Sequence, residues 1–107
     1  MSANAFLKKL PAAFNAGAAG DASCVLQFNI SQPVYATIKG GTCTVTDGSA
    51  PSPDVALTME DDDLVQLMKG ELNGMMAFMT GKLQVEGDLM LAQRLSSFFD
   101  AEKLQKA

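Results

Sequence analysis

The sequence predicts an α+β domain: a five-stranded, mostly antiparallel sheet covered by helices on one face. Three observations carry this expectation. Four consecutive runs between Leu26 and Met59 alternate apolar and polar residues with a period of two. A fifth such run, "KLQVEG" from Lys82, lies beyond two helix-patterned stretches. Helical spacing is otherwise confined to the two ends of the chain, so helices and strands are segregated rather than interleaved.

Phe6, Leu7, Leu10, Ala13 and Phe14 stand at helical spacing, interrupted by Pro11. Proline is poor inside a helix and good in its first turn, so one short helix reaches about Leu10 and a further turn or two begins at Pro11. "NAGAAGDAS", from Asn15 to Ser23, reads as a loop. Strands follow. Leu26, Phe28 and Ile30 alternate with Gln27 and Asn29. Val34, Ala36 and Ile38 alternate with Tyr35 and Thr37. Cys43 and Val45 alternate with Thr42, Thr44 and Thr46, and Val55, Leu57 and Met59 with Ala56 and Thr58. Gly40-Gly41 is a hairpin turn by chemistry, and Asp47-Gly48 with "SAPSP" is a longer turn. Four short strands with such turns predict an antiparallel meander with one covered face.

Helix signals return at Glu60. Acids from Glu60 to Asp63 precede Leu64, Val65, Leu67 and Met68, and Lys69-Gly70 closes the run, as the helix dipole and the C-cap favour. Asn73 caps a short helix from Gly74 to Thr80, ended by Gly81. That helix is apolar almost all round, which predicts burial or a lining role. The fifth strand turns Leu83 and Val85 inward and, after its helical crossover, is open to parallel pairing with an earlier strand. Asp88 caps a final helix carrying Leu91, Leu95, Phe98 and Phe99, its apolar stripe widened by Leu89 and Met90. From Asp100 the tail is polar and expected to fray.

Residues 1–107 form one domain by length, and such a chain buries roughly two-thirds of its unfolded surface. The net charge of −4 comes without a basic cluster. That excludes nucleic acid as a partner and constitutive adhesion to anionic membranes. The chain has no histidine and two cysteines, Cys24 and Cys43, at no metal-ligand spacing. A disulfide requires their strands to be neighbours; free thiols in a reducing cytoplasm are the expectation. No secretory h-region, bilayer-length apolar run or Ser-Lys-Leu ending is present. Gly81-Lys82 does not fit a phosphate loop, because Gly74 lies seven residues before Gly81 and Leu83 stands where Ser or Thr is needed. Glu60 to Asp63 lacks the spaced ligands and glycine of a calcium loop. Without a histidine base, nucleophilic catalysis has no support. The expectation is a non-enzyme with no cofactor and no metal.

Six of the seven methionines lie between Met59 and Met90. Singly, a methionine fills irregular core gaps. Together Met68, Met75, Met76, Met79 and Met90 sit on three successive helices beside Phe78, Phe98 and Phe99, and such deformable side chains suit the wall of a pocket for a flexible apolar ligand. "PDVALTMEDDD", "KGEL", "AFMTGKLQVEGD" and, upstream, Leu10-Pro11 with Phe14 are similar to the sterol carrier protein type 2 family, over about residues 4 to 99. Thr80, where many members carry glutamine, and Cys43, where a bulky aromatic is common, depart from the pattern.

The resemblance implies a sheet and helices enclosing an apolar tunnel that binds a fatty acid, fatty acyl-CoA, phospholipid, sterol-like lipid or isoprenoid quinone precursor. A chain this compact resembles the stand-alone bacterial members. Carried over, the implied cavity wall comprises Met68, Leu72, Met75, Met76, Phe78, Met79, Leu83 and Val85, then Met90, Leu91, Leu95, Phe98 and Phe99 of the closing helix. Lys82 and Arg94 are head-group candidates, and tryptophan at Met79 or Leu91 is expected to block binding. A lipid is the expected partner, with transient membrane contact. The alternative is a non-transporting module whose apolar helix surface docks a partner enzyme or a second copy.

Overall fold

The computed structural model describes residues 3–105, apart from the side chains at 95 and 96. Helices α1 (Ala3–Leu7) and α2 (Leu10–Ala13) bury Phe6, Leu7, Leu10 and Ala13, with Pro11 in the first turn of α2. The stretch expected to be a loop contains a further turn of helix, α3 (Ala16–Ala19). Its alanines are strong helix formers, and the Asn15 side chain accepts a hydrogen bond from the Ala18 N–H at 3.1 Å.

Strands β1 (Cys24–Asn29), β2 (Val34–Lys39), β3 (Thr42–Asp47), β4 (Val55–Thr58) and β5 (Gln84–Gly87) form one sheet in the order β3-β2-β1-β4-β5. The pairs β1–β2, β2–β3 and β4–β5 are antiparallel, whereas β1–β4 is parallel. The sheet is therefore mixed but mostly antiparallel, as expected, and the four-strand meander needs correction. The meander stops after three strands, because residues 48–54 carry the chain back along β1 and place β4 on its far side. One buried side chain holds that crossover. Gln27, 3% exposed, donates to the Val34 carbonyl at 3.3 Å and the Gly48 carbonyl at 3.2 Å, and accepts from the Ala50 N–H at 2.7 Å. The fifth strand pairs antiparallel, not parallel. The two helices between β4 and β5 return the chain to the end of the sheet where it left, so that Thr58 opposes Gln84.

Helices α4 (Asp61–Met68), α5 (Gly74–Met79), α6 (Leu89–Phe98) and α7 (Ala101–Gln105) complete the fold. At the start of α4, Asp61 accepts from the Ser31 N–H at 2.9 Å and from its hydroxyl at 2.5 Å. These bonds tie the β1–β2 turn to the helix and hold the Asp61 carboxyl below the usual range. The tail expected to fray instead forms α7 with Leu104 buried. It is anchored by main-chain bonds from Asn15 N–H to the Phe98 carbonyl at 2.7 Å and from Asp100 N–H to the Ala13 carbonyl at 2.8 Å.

The core lies between the inner sheet face and the helices. Leu26, Phe28, Val34, Ala36, Ile38, Val55 and Leu57 meet Phe6, Leu7, Leu10, Leu64, Phe98 and Leu104, all buried. Cys24 and Cys43 are free thiols. Both pair with Ile38 from opposite sides, which sets them two strands apart, roughly 9–10 Å and beyond disulfide reach. Burial pushes the Cys43 thiol up to about 11, with Cys24 adding to the effect.

Candidate functional site

An apolar cavity of about 450 Å³ lies between β4, β5 and the helices α4, α5 and α6. Its floor is Leu57 and Val85, directly opposed in the β4–β5 register, with Leu83 beside them. Leu67 and Met68 from the last turn of α4 and Leu72 from the connection to α5 form one wall. Met75 and Phe78 of α5 face Leu89, Ala92 and Gln93 of α6, and Phe99 closes the far end.

Local sequence explains how these walls are held apart. The Asn73 side chain accepts from the Met75 and Met76 N–H groups at 2.9 and 3.2 Å, which starts α5. Asp88 does the same for α6 through the Leu91 N–H at 3.1 Å. Between α4 and α5, Gly70 has a φ of +80°, which favours glycine. A Cβ on Gly74 would stand 3.3 Å from Leu67 Cδ1, so the missing side chain lets the connection lie close to α4.

Helical spacing divides the residues of α5 and α6 among three faces. Met75 and Phe78, three apart, line the cavity, while Met76 and Met79, also three apart, are exposed. Only Ala77 of α5 is buried, so of the two expected roles, burial or lining, this helix takes the second through Met75 and Phe78. A six-residue helix over an open cavity presents one narrow face to the sheet, and Ala77 occupies it. In α6, Leu89, Ala92 and Gln93 line the cavity; Leu91 and Phe98 enter the solid core; Met90 is 74% exposed.

Met68, Leu72, Met75, Phe78, Leu83, Val85 and Phe99 of the sequence-derived wall thus surround the cavity, whereas Met76, Met79, Met90, Leu91 and Phe98 do not. The Leu95 side chain lies outside the described residues. Sequence reasoning missed Leu57, Leu67, Gly70, Gly74, Leu89, Ala92 and Gln93 as lining residues. Leu89, Ala92 and Gln93 share a spacing of three and four that marks one helical face. Nothing local says that this face, rather than that of Leu91 and Phe98, turns toward empty space.

Among the described residues of the lining, Gln93 is the one whose side chain carries a hydrogen-bonding group, and none carries a charge. The head-group candidates stand elsewhere. Arg94 lies with its guanidinium 5.3 Å from the centre of the Phe98 ring, and Lys82 is exposed in the turn between α5 and β5. Met75, Phe78 and Leu89 both line the cavity and are half or more exposed, so its mouth opens between α5 and the start of α6. Among the described residues, no cluster of three His, Cys, Asp or Glu side chains is placed to hold a metal ion. No helix among them is long and apolar enough to cross a membrane.

A layered α+β chain with an apolar cavity under its last helices invites comparison with known proteins. The model of the SCP-2 sterol transfer family matches residues 3–100. The chain belongs to the SCP-2 sterol transfer family. An oleate-induced peroxisomal protein of Candida maltosa is 44% identical over 61 residues, 57% of this chain and 48% of that protein. The chain matches less than half the length of that relative and 11% of the rat sterol carrier protein 2. The apo sterol carrier protein 2 of Yarrowia lipolytica superposes with a TM-score of 0.71 at 24% identity, covering 97% of this chain and 90% of that one. The palmitated SCP2L2 of Aedes aegypti superposes with a TM-score of 0.65 at 26% identity, covering 97% of this chain and 95% of that one. The SCP-2 family fold therefore accounts for the mixed five-stranded sheet and for the helices packed on it.

Proposed function

We propose that this SCP-2 domain binds a lipid in its apolar cavity and transfers or presents it without catalysing a reaction. The observation that carries this reading is a cavity of about 450 Å³ walled by Leu, Met, Val and Phe, in which Gln93 is the one polar side chain among the described residues. The volume falls within the usual range for small-molecule sites, roughly 300–1,000 Å³. If about ten methylenes of a chain leave water on entry, the gross gain is ~8 kcal/mol. Association and chain ordering remove part of it, and an affinity near the micromolar range suits a protein that must also release its cargo.

The amide of Gln93 both donates and accepts hydrogen bonds. It suits a hydroxyl, carbonyl or carboxyl end group, as on a fatty acid, a sterol-like lipid or a quinone precursor. A phosphate or CoA head would stay outside in water, where Lys82 and Arg94 stand. Among the described residues the wall carries no acidic, basic or nucleophilic side chain, which supports a carrier over an enzyme. Two free thiols suit a reducing cytoplasm. The relative described as palmitated supports a fatty acyl ligand in particular.

Native mass spectrometry of the purified protein, followed by solvent extraction, tests the reading. The expected result is a stoichiometric lipid mass, or saturable displacement of a fluorescent fatty acid from the apo protein. An apo mass with no binding of the probe would overturn it.

A further inference from the structure

The two edges of the sheet differ. At one end, β5 is four residues long, carries exposed Glu86 and is flanked by Lys82 and Asp88. Short length and charge keep an edge strand from pairing with another chain. At the other end, β3 is six residues long, and from Thr42 to Thr46 it holds no charge, no proline and no glycine. Its threonines and valine favour extended backbone. Gly40-Gly41 closes a two-residue hairpin in which Lys39 opposes Thr42. The pairs Lys39–Thr42, Thr37–Thr44 and Tyr35–Thr46 therefore exchange main-chain hydrogen bonds. The bond from the Gly48 N–H to the Pro33 carbonyl, at 2.8 Å, continues that alternation. The N–H and C=O groups of Cys43, Val45 and Asp47 thus point away from β2, and among the described residues no main-chain hydrogen bond reaches them.

We propose that the β3 edge pairs antiparallel with the β3 edge of a second copy of this chain, joining the two sheets into one. The strand is its own complement. A two-fold axis through Val45 opposes Val45 to its counterpart and Cys43 to Asp47 of the second copy, which uses all three outward residues of both strands. Thr44 then faces Thr46 of the second copy on the outer surface of the sheet, a cross-strand pair of small β-branched side chains. Charge permits the seam. Asp47, the one charged residue of β3, is already held by Lys8 at 3.1 Å and by the Asn4 side chain at 3.0 Å. Lys39 stands at the other end of the hairpin. Antiparallel pairing sets each Lys39 end beside the Lys8–Asp47 pair of the other copy, so no two unpaired like charges meet. Both copies keep their helices on the same face, and the cavities, beside β4 and β5, stay at the outer ends of the joined sheet. One strand pair is a small interface, below about 1,200 Å², so a dissociation constant of roughly 10–100 μM is expected.

Analytical ultracentrifugation over a concentration series reaching about 1 mM reads the dimer. The wild type should pass from monomer to dimer along the series. Thr44→Lys with Thr46→Lys sets like charges against each other across the seam. Both threonines are exposed, so the melting temperature should hold while dimerisation weakens at least tenfold. Thr44→Lys with Thr46→Glu sets opposite charges at the two opposed positions and should restore the dimer. A wild type that stays monomeric throughout would overturn the proposal and leave the edge to an extended segment of a different chain. A dimer that survives the two lysines would overturn it too. So would a dimer that Met79→Lys with Met90→Lys abolishes, which would place the interface on the exposed side of α5 and α6. If the variant with opposite charges stays monomeric while folded, the register through Val45 is wrong and the proposal falls with it.

Discussion

Replacing Ala92 by tryptophan tests the cavity most directly. Ala92 sits on α6 between Leu89 and Gln93, half-buried, with its side chain in the cavity lining. The indole enters existing space of about 450 Å³ rather than a packed core, so the steric cost of overpacking is largely avoided. An indole that excludes about five methylenes of a bound chain removes ~4 kcal/mol, at ~0.8 kcal/mol each. That weakens binding roughly a thousandfold. Displacement of a fluorescent fatty acid reads the affinity, with circular dichroism and thermal melting as controls for the fold. Met79→Trp is the matched comparison: Met79 is 73% exposed and outside the lining, as buried Leu91 also is. This corrects the expectation that tryptophan at either site blocks the cavity, and the affinity of Met79→Trp should stay within about threefold of the parent. A folded Ala92→Trp protein with unchanged affinity would show that the ligand does not occupy this cavity.

Three other perturbations probe the scaffold. Gly87 has a φ of +100°, and a Cβ there would collide with the Asp54 carbonyl oxygen, so Gly87→Ala should cost about 2 kcal/mol or more in urea unfolding. Gln27→Ala leaves the Val34 and Gly48 carbonyls and the Ala50 N–H without the partners that hold the crossover; a loss of about 2–4 kcal/mol is expected, read as a lower denaturation midpoint. Ser31→Ala removes the hydroxyl bond, the larger of the two causes that hold the Asp61 carboxyl below its usual range, and keeps the main-chain N–H bond. A depressed folded value stabilises fully above the unfolded value of about 3.9 and loses that contribution as pH falls through the folded one. The difference between Ser31→Ala and wild type should thus be under about 1 kcal/mol at pH 7, because the carboxylate is exposed, and should shrink further in acid. A difference that grows on acidification would contradict the assigned cause.

Strand identity was legible because period-two alternation survives any pairing: Leu26, Phe28, Val34, Ala36, Ile38, Val55 and Leu57 all face the core. Pairing order was not legible, since the same alternation serves a hairpin or a crossover, and the choice rests on contacts such as those of Gln27, which link residues seven to 23 positions apart. The α3 turn was hidden by glycines flanking a short alanine run, and α7 by a polar sequence whose one buried anchor, Leu104, has no periodic partner within the helix.

The same division runs through the candidate site. By itself the sequence determined the α+β class, the segregation of methionine and phenylalanine into the last third of the chain, and the absence of histidine chemistry. These follow from composition and local periodicity, which need no knowledge of distant neighbours. Only the tertiary structure decided which apolar residues face empty space. Met75 and Met79 are the same residue type on one helix four positions apart, yet the first lines the cavity and the second does not. A hydrophobic pattern records that a side chain prefers to leave water. Whether it finds a packed core, a cavity wall or an exposed rim depends on how far apart the facing elements are held, and the connections and caps at Gly70, Asn73, Gly74 and Asp88 set that spacing.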